Sequence, residues 1–389
     1  MSLQFGIDIL LNSEPNWKNK PIAFLTNDAA TTSTGEKSRK ALITKGFNIV
    51  KLFSPEHGIN SKGLDGAKMD NEIDAITGLP IISLYGEKFA PTLQDLQDVE
   101  ILIFDVPDVG VRFYTYLWSM TYWLEAAAQF KKQIIILDRP NPLGGNFQMV
   151  EGPILEINLK SFLGRFPIPI KHQCTIGELA QYFNEVENIK APLEVVACKN
   201  LNREQLFYDW NKPWVATSPA IQNIEACLLY PGLCLFEATN VSIGRGSAYS
   251  FEWIGASWFN LPAITMVGQN ILREDIKMES LPIKLLIDGT LIQHKGIRIK
   301  VLDPYHFNPV LNGLLLLKLV KDIHPQDFKW IPYPTNVNPT GENHLSLLLG
   351  IENAEELFNL PLKEWLSKML QLLKVTYWEK DMEPYLIYK

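Results

Sequence analysis

The chain has 389 residues, 47% of them hydrophobic and 20% charged, which suits two domains with a sizeable core and excludes the composition of a disordered chain. Its 36 basic and 43 acidic residues give a formal charge of −7, and no long basic run breaks that background, which argues against a nucleic-acid or anionic-membrane partner. No apolar stretch approaches the ~20 residues that span a bilayer, the start MSLQFGIDIL lacks a basic and apolar leader, and four cysteines without CxxC spacing read as buried free thiols.

In chain order, short and almost continuously apolar runs at 22–25, 49–53, 81–84, 101–106, 134–137 and 193–197 alternate with helical patterns at 36–45, 115–130 and 176–186. That alternation predicts βαβ units around a mainly parallel sheet covered on both faces. Near residue 212 the pattern changes to a helix at 221–229, β-like runs at 283–287 and 296–301, and helices at 310–321, 354–358 and 362–373. The expected architecture is therefore an α/β domain with a mainly parallel sheet over 1–212 and a smaller α+β domain over 213–389.

Five polar loops follow the carboxyl ends of predicted strands: Thr26-Asn27-Asp28, Ser54-Pro55-Glu56-His57-Gly58, Tyr85-Gly86-Glu87, Pro107 to Arg112, and Asp138-Arg139-Pro140-Asn141-Pro142. Ligands of open α/β sheets bind outside those ends, so the loops mark one wall of a site. None has a GxGxxG or GxxxxGK[ST] pattern, so no nucleotide cofactor is expected. Glu56, on a turn stiffened by Pro and Gly, is the leading acid or base; a loop carboxylate capping a backbone N–H is the competing reading. His57 reads equally as a base or a structural hydrogen bonder. The remaining histidines are scattered singly, so no metal site is expected. Glu151, in an aperiodic segment after the fifth loop, is the first choice for a second catalytic carboxylate, with Asp108 or Glu237 as substitutes. In the second domain Glu237, Asn240 and the Gly244-Arg245-Gly246 turn gather polar groups among aromatics, and a guanidinium suits a carboxylate ligand.

The motifs SPEHG, TGLPIISLYG, FDVPDVGVRFYTY, LDRPNPLGG with VEGP, and LLYPGLCLFEATNVSIGRGS resemble, in content and order, those of the bacterial exo-β-N-acetylmuramidase family. The resemblance implies a Rossmann-like amino-terminal domain, a smaller carboxy-terminal domain that completes a cleft between them, and removal of N-acetylmuramic acid from the non-reducing end of peptidoglycan fragments. It implies a site outside the cytoplasm, while the start of the chain, without a leader, leaves a cytoplasmic site open. The implied partner is a small amino-sugar or muropeptide substrate. Its catalytic groups would come from Glu56, Glu151, His57 and Asp108, and its binding groups from Asn27, Arg112, Tyr114, Asp138, Arg139, Asn141, Glu237, Asn240 and Arg245. The chain departs from the family at Pro107, where Gln is usual, at Ala220-Ile221-Gln222, where Asn-Met-Pro is usual, at His294-Lys295-Gly296, which lacks the usual Cys, and in its DMEPYLIYK ending. Those departures bear on substrate preference. Two rivals are a muropeptide-binding protein without catalysis, and an amide or ester hydrolase. The second needs a Ser or Cys nucleophile beside a His, and the chain has no GxSxG.

Overall fold

The computed structural model describes residues 2–64, 66–272, 276–287 and 289–389. Seven strands, β1 (Ile22–Thr26), β2 (Ile49–Ser54), β3 (Glu72–Ile73), β4 (Pro80–Ser83), β5 (Ile101–Asp105), β6 (Gln133–Leu137) and β7 (Leu193–Val196), form one sheet in the order β3-β4-β2-β1-β5-β6-β7. Every pairing is parallel except that of β3 with β4. The period of two along each strand divides the side chains between two cores. Ala23, Leu25, Leu102 and Phe104 face the helices Tyr116–Gln129 and Ile176–Val186, while Ile22, Phe24, Ile101 and Ile103 face the helices Gly6–Leu11 and Ser38–Thr44. Both faces are covered, which is why these strands read as continuous apolar runs. The four cysteines are free and buried.

Each of the six predicted strands falls within a residue or two of an observed one. The helix expected at 36–45 begins only at Ser38, because Thr31 pairs with Lys37 and the Glu36 carbonyl accepts from the Thr32 N–H. β3 has two exposed residues on the sheet edge, too short to leave a periodic signal.

The second domain holds an antiparallel sheet of β8 (Trp253–Ala256), β9 (Ile276–Ser280), β10 (Ile283–Ile287) and β11 (Thr290–Val301). The helix predicted at 221–229 runs from Ile224 to Leu233, with the Asn223 side chain accepting from the Ala226 N–H at its start and Pro231 inside it. It crosses the helix Pro309–Ile323 through paired glycines: a Cβ on Gly313 would lie 2.3 Å from the Gly232 Cα, so neither position tolerates a side chain at this spacing. The core on the Ala23 side continues without a break into the second domain through Leu228, Leu233, Val310, Leu348 and Trp365. Polar ties reinforce that contact. The Arg112 guanidinium donates to the carbonyls of Pro153 (2.7 Å), Ile168 (2.9 Å) and Leu348 (2.8 Å), and the chain's last turn returns Tyr388 to Asp138, hydroxyl to carboxylate, at 2.6 Å.

Candidate active site

Between the two domains lies a cavity of about 580 Å³. Glu56 enters it from the loop after β2. Left-handed backbone at His57 (φ 65°) and Gly58 (φ 72°) turns the chain sharply behind it, a conformation that glycine takes without strain and that is uncommon for His. The Glu56 carboxylate is buried and accepts from the Thr115 hydroxyl (2.5 Å) and the Gly66 N–H (2.9 Å). Thr115 belongs to the connection after β5, so loops from both sides of β1 hold this carboxylate. Nδ1 of His57 lies 2.8 Å from the Gly63 carbonyl; a carbonyl only accepts, so Nδ1 carries the proton and Nε2 is the basic nitrogen of the neutral ring.

The opposite wall comes from the second domain. Glu237, in the 3₁₀ turn Cys234–Ala238, accepts from Arg245 Nε at 3.1 Å and from Arg245 Nη2, and its other oxygen lies 3.3 Å from His344 Nε2. Left-handed glycines on both sides, Gly244 (φ 72°) and Gly246 (φ 79°), set the turn that carries Arg245. Burial raises the Glu237 pKa, but the Arg245 charge and then His344 outweigh it and bring the carboxyl down to about 2. Glu237 therefore stays ionised at any ordinary pH and is no proton donor. The Tyr333 ring stacks on His344 with centroids 4.7 Å apart, and the Arg245 guanidinium lies 4.8 Å from the Phe251 ring centre.

Five of the residues expected from the sequence line this cavity: Glu56, His57, Tyr114, Glu237 and Arg245. The others lie elsewhere, and most are engaged by the protein itself. Asn27 is fully buried and accepts from the Ala29 N–H. Arg112 is enclosed among carbonyls as described. Asp138, also fully buried, accepts from Thr175, Gly177, Arg139 and Tyr388; burial nevertheless pushes its carboxyl up to about 6. Arg139 forms a buried ion pair with Asp105 and also donates to Thr31 and Ser38. Asn141 accepts from Leu143 and donates to the Cys174 carbonyl. Asn240 exchanges two hydrogen bonds with the backbone of Asp327 and Lys329. Glu151, the expected second carboxylate, accepts from the N–H groups of Val310 (3.2 Å) and Leu311 (2.9 Å), capping the helix Pro309–Ile323 away from the Glu56 cavity. Such a site at a helix start attracts an anion for electrostatic reasons alone. Asp108 borders a different cavity, with one oxygen 2.8 Å from the Gly110 N–H and 3.5 Å from His172 Nε2.

Sequence reasoning passed over Thr115, Gly66, Tyr333 and His344. Thr115 had a signal, since it stands at the predicted start of a helix beside a strand-end loop; His344 had none, being 107 residues from the carboxylate it meets. Among the described residues no group of three or more His, Cys, Asp or Glu is placed to hold a metal ion.

Residues 22–225 match the amino-terminal domain of exo-beta-N-acetylmuramidase NamZ, and residues 228–388 match its carboxy-terminal domain. The peptidoglycan beta-N-acetylmuramidase NamZ of Bacillus subtilis (strain 168) is 38% identical over 343 residues, covering 85% of this chain and 80% of that protein. Two crystal structures of DUF1343 family proteins from Bacteroides fragilis superpose over 100% of this chain and 99% of their own, one with a TM-score of 0.87 at 24% identity and one with 0.70 at 28%. The first of these speaks for the fold alone.

Proposed function

From the premise that the chain belongs to the exo-β-N-acetylmuramidase NamZ family, we propose that it hydrolyses peptidoglycan fragments from their non-reducing end and releases N-acetylmuramic acid. The observation that carries this reading is that a buried carboxylate, Glu56, and an arginine, Arg245, line one cavity from opposite domains. A glycosidase needs a carboxylic acid to protonate the departing oxygen, and a muramic acid brings a lactyl carboxylate that a guanidinium fork accommodates.

Glu56 is the general acid and base. Of the cavity's described lining residues only Glu56 and Glu237 are carboxylates, and Glu237 already has its charge matched by Arg245 and a hydrogen bond from His344, which makes it a poor nucleophile. The substrate's own acetamido oxygen then attacks the anomeric carbon while Glu56 gives its proton to the leaving oxygen, as in other enzymes acting on 2-acetamido sugars. Water next opens the cyclic intermediate and returns a proton to Glu56. Glu237 holds Arg245 in place, and His57 stands beside Glu56 with Nε2 as acceptor. Peptidoglycan lies outside the cytoplasmic membrane, so we assign an extracytoplasmic site of action; no helix among the described residues is long and apolar enough to cross a membrane.

The test is incubation with a chromogenic β-N-acetylmuraminide beside the matching glucosaminide. Hydrolysis of the first and little of the second is expected, with inhibition by a thiazoline analogue of the sugar. A chain that binds the muraminide and never turns it over would be a binding protein instead.

A further inference from the structure

A second cavity, of about 640 Å³, lies at the carboxyl ends of β1, β5 and β6 and is bordered by the 207–217 segment. The strand order reverses between β1 and β5, and such a reversal is where open α/β sheets form a crevice for ligands. The hydrogen bond from Tyr114 to Thr217 joins the wall of the Glu56 cavity to the wall of this one.

The second cavity is built differently from the first. A run of aromatic rings crosses it: Phe5 to Trp210 at 6.5 Å between centroids, Trp210 to Phe207 at 5.1 Å, and Phe207 to Trp214 at 5.0 Å. Two buried polar atoms on its lining residues have no hydrogen-bond partner, the Oδ1 acceptor of Asp108 and the Nε1–H donor of Trp210. The Asp108 side chain is 7% exposed, and its other oxygen accepts from the Gly110 N–H. Leaving a buried donor and a buried acceptor unmade is costly, so a pair of them on one apolar cavity points to a ligand that brings both an acceptor and a donor. A secondary amide supplies the two together. Its methyl group suits Pro107 and Pro140, and the C–H face of a pyranose suits the rings. An anionic sugar fits less well, because Asp108 carries negative charge and Arg139 is already paired with Asp105, leaving Lys212 as the other cation on the wall.

We propose that this cavity binds an uncharged 2-acetamido pyranose of the N-acetylglucosamine type. The identity of the sugar rests on the glycosidase reading, since removing a muramic acid exposes such a residue at the new chain end; the need for an amide rests on Asp108 and Trp210 alone.

The Glu56 cavity has no tryptophan in its wall, so the indole N–H signals of the ¹⁵N-labelled full chain report the second cavity separately. Trp210→Phe identifies the Trp210 signal by its loss. Titration with N-acetylglucosamine is expected to move that signal saturably, glucose to leave it in place, and N-acetylmuramic acid to act more weakly. Asp108→Asn and Trp210→Phe are each expected to weaken binding by about tenfold, the scale of one buried hydrogen bond, and calorimetry on Trp210→Phe, which keeps an aromatic ring, reads that loss even where Asp108→Asn fails to fold. An unmoved Trp210 signal, an equal response to glucose or to the muramic acid, or a Trp210→Phe variant that binds like the parent would each overturn the proposal. Failure to hydrolyse the muraminide would instead overturn the glycosidase reading and leave the binding result standing.

Discussion

Around Glu56 the polar side chains face a cavity of about 580 Å³, whereas around Asp138, three strands along the same sheet, they face one another. Both groups stand at strand carboxyl ends, and both join a carboxylate to hydroxyl and backbone donors. The difference lies in what covers them. The loop after β2 meets the second domain across a gap that admits a ligand. The loop after β6 is closed by the chain's own last residues, with Tyr388 bonded to Asp138 and the Cys198 N–H bonded to the Tyr388 hydroxyl. A strand-end polar loop therefore marks a position where a ligand fits, and the neighbouring chain decides whether protein fills it first.

The largest expected effect tests whether Arg112 belongs with the closed group. Arg112→Ala leaves three buried carbonyls without their donor and should cost roughly 3 to 5 kcal/mol of stability, read from the denaturant midpoint. A loss below about 1 kcal/mol, on the scale of a surface change, together with an altered sugar preference would move Arg112 into the site.

Glu56→Gln keeps acceptors for Gly66 and Thr115 and should leave the fold and binding intact while turnover falls by at least ~10²-fold, the scale of losing a general acid or base. Near-parental turnover of the purified variant would remove Glu56 from the chemistry.

Next in size is the preference between muraminide and glucosaminide. Arg245→Ala should narrow it by about tenfold, equivalent to ~1.4 kcal/mol for one charged contact; an unchanged ratio would mean that the lactyl carboxylate is read elsewhere. The same pair predicts a pH dependence. The Glu237 carboxyl lies at about 2 in the folded chain against 4.5 for the ordinary group, so its contribution to stability is complete above pH 4.5 and is lost as pH falls toward 2. Melting curves across that window should flatten in Glu237→Gln, and an identical acid profile would argue that the pair is not formed in solution.

The smallest effect on turnover belongs to the closed loop. Tyr388→Phe removes one donor from Asp138 and one acceptor from Cys198, worth about 1 to 2 kcal/mol, and should leave turnover at the parental value. A drop in turnover with stability unchanged would tie the tail to catalysis and erase the contrast.

The distinction also explains what could be read in advance. The runs at 22–25, 101–106 and 134–137 announce buried parallel strands because a period-two chain covered on both faces needs apolar residues at every position. Glu56 stood out for the same local reason, a carboxylate on a Pro and Gly turn directly after such a run. Glu151 looked equivalent because its sequence neighbourhood was equally irregular. Its partners, Val310 and Leu311, lie 159 and 160 residues away, and no local pattern encodes a helix start arriving from the other domain.

What the sequence by itself determined is the strands of the parallel sheet other than β3, the polar loops at their carboxyl ends, and the family to which its motifs belong; hydrophobic period and turn chemistry act over a few residues and leave a local trace. Which polar groups face a ligand was decided only by the tertiary structure. Asp138, Arg139 and Arg112 are as polar as Glu56 and Arg245, but burial obliges each polar group to find a partner, and only packing between distant segments determines whether that partner is protein or substrate.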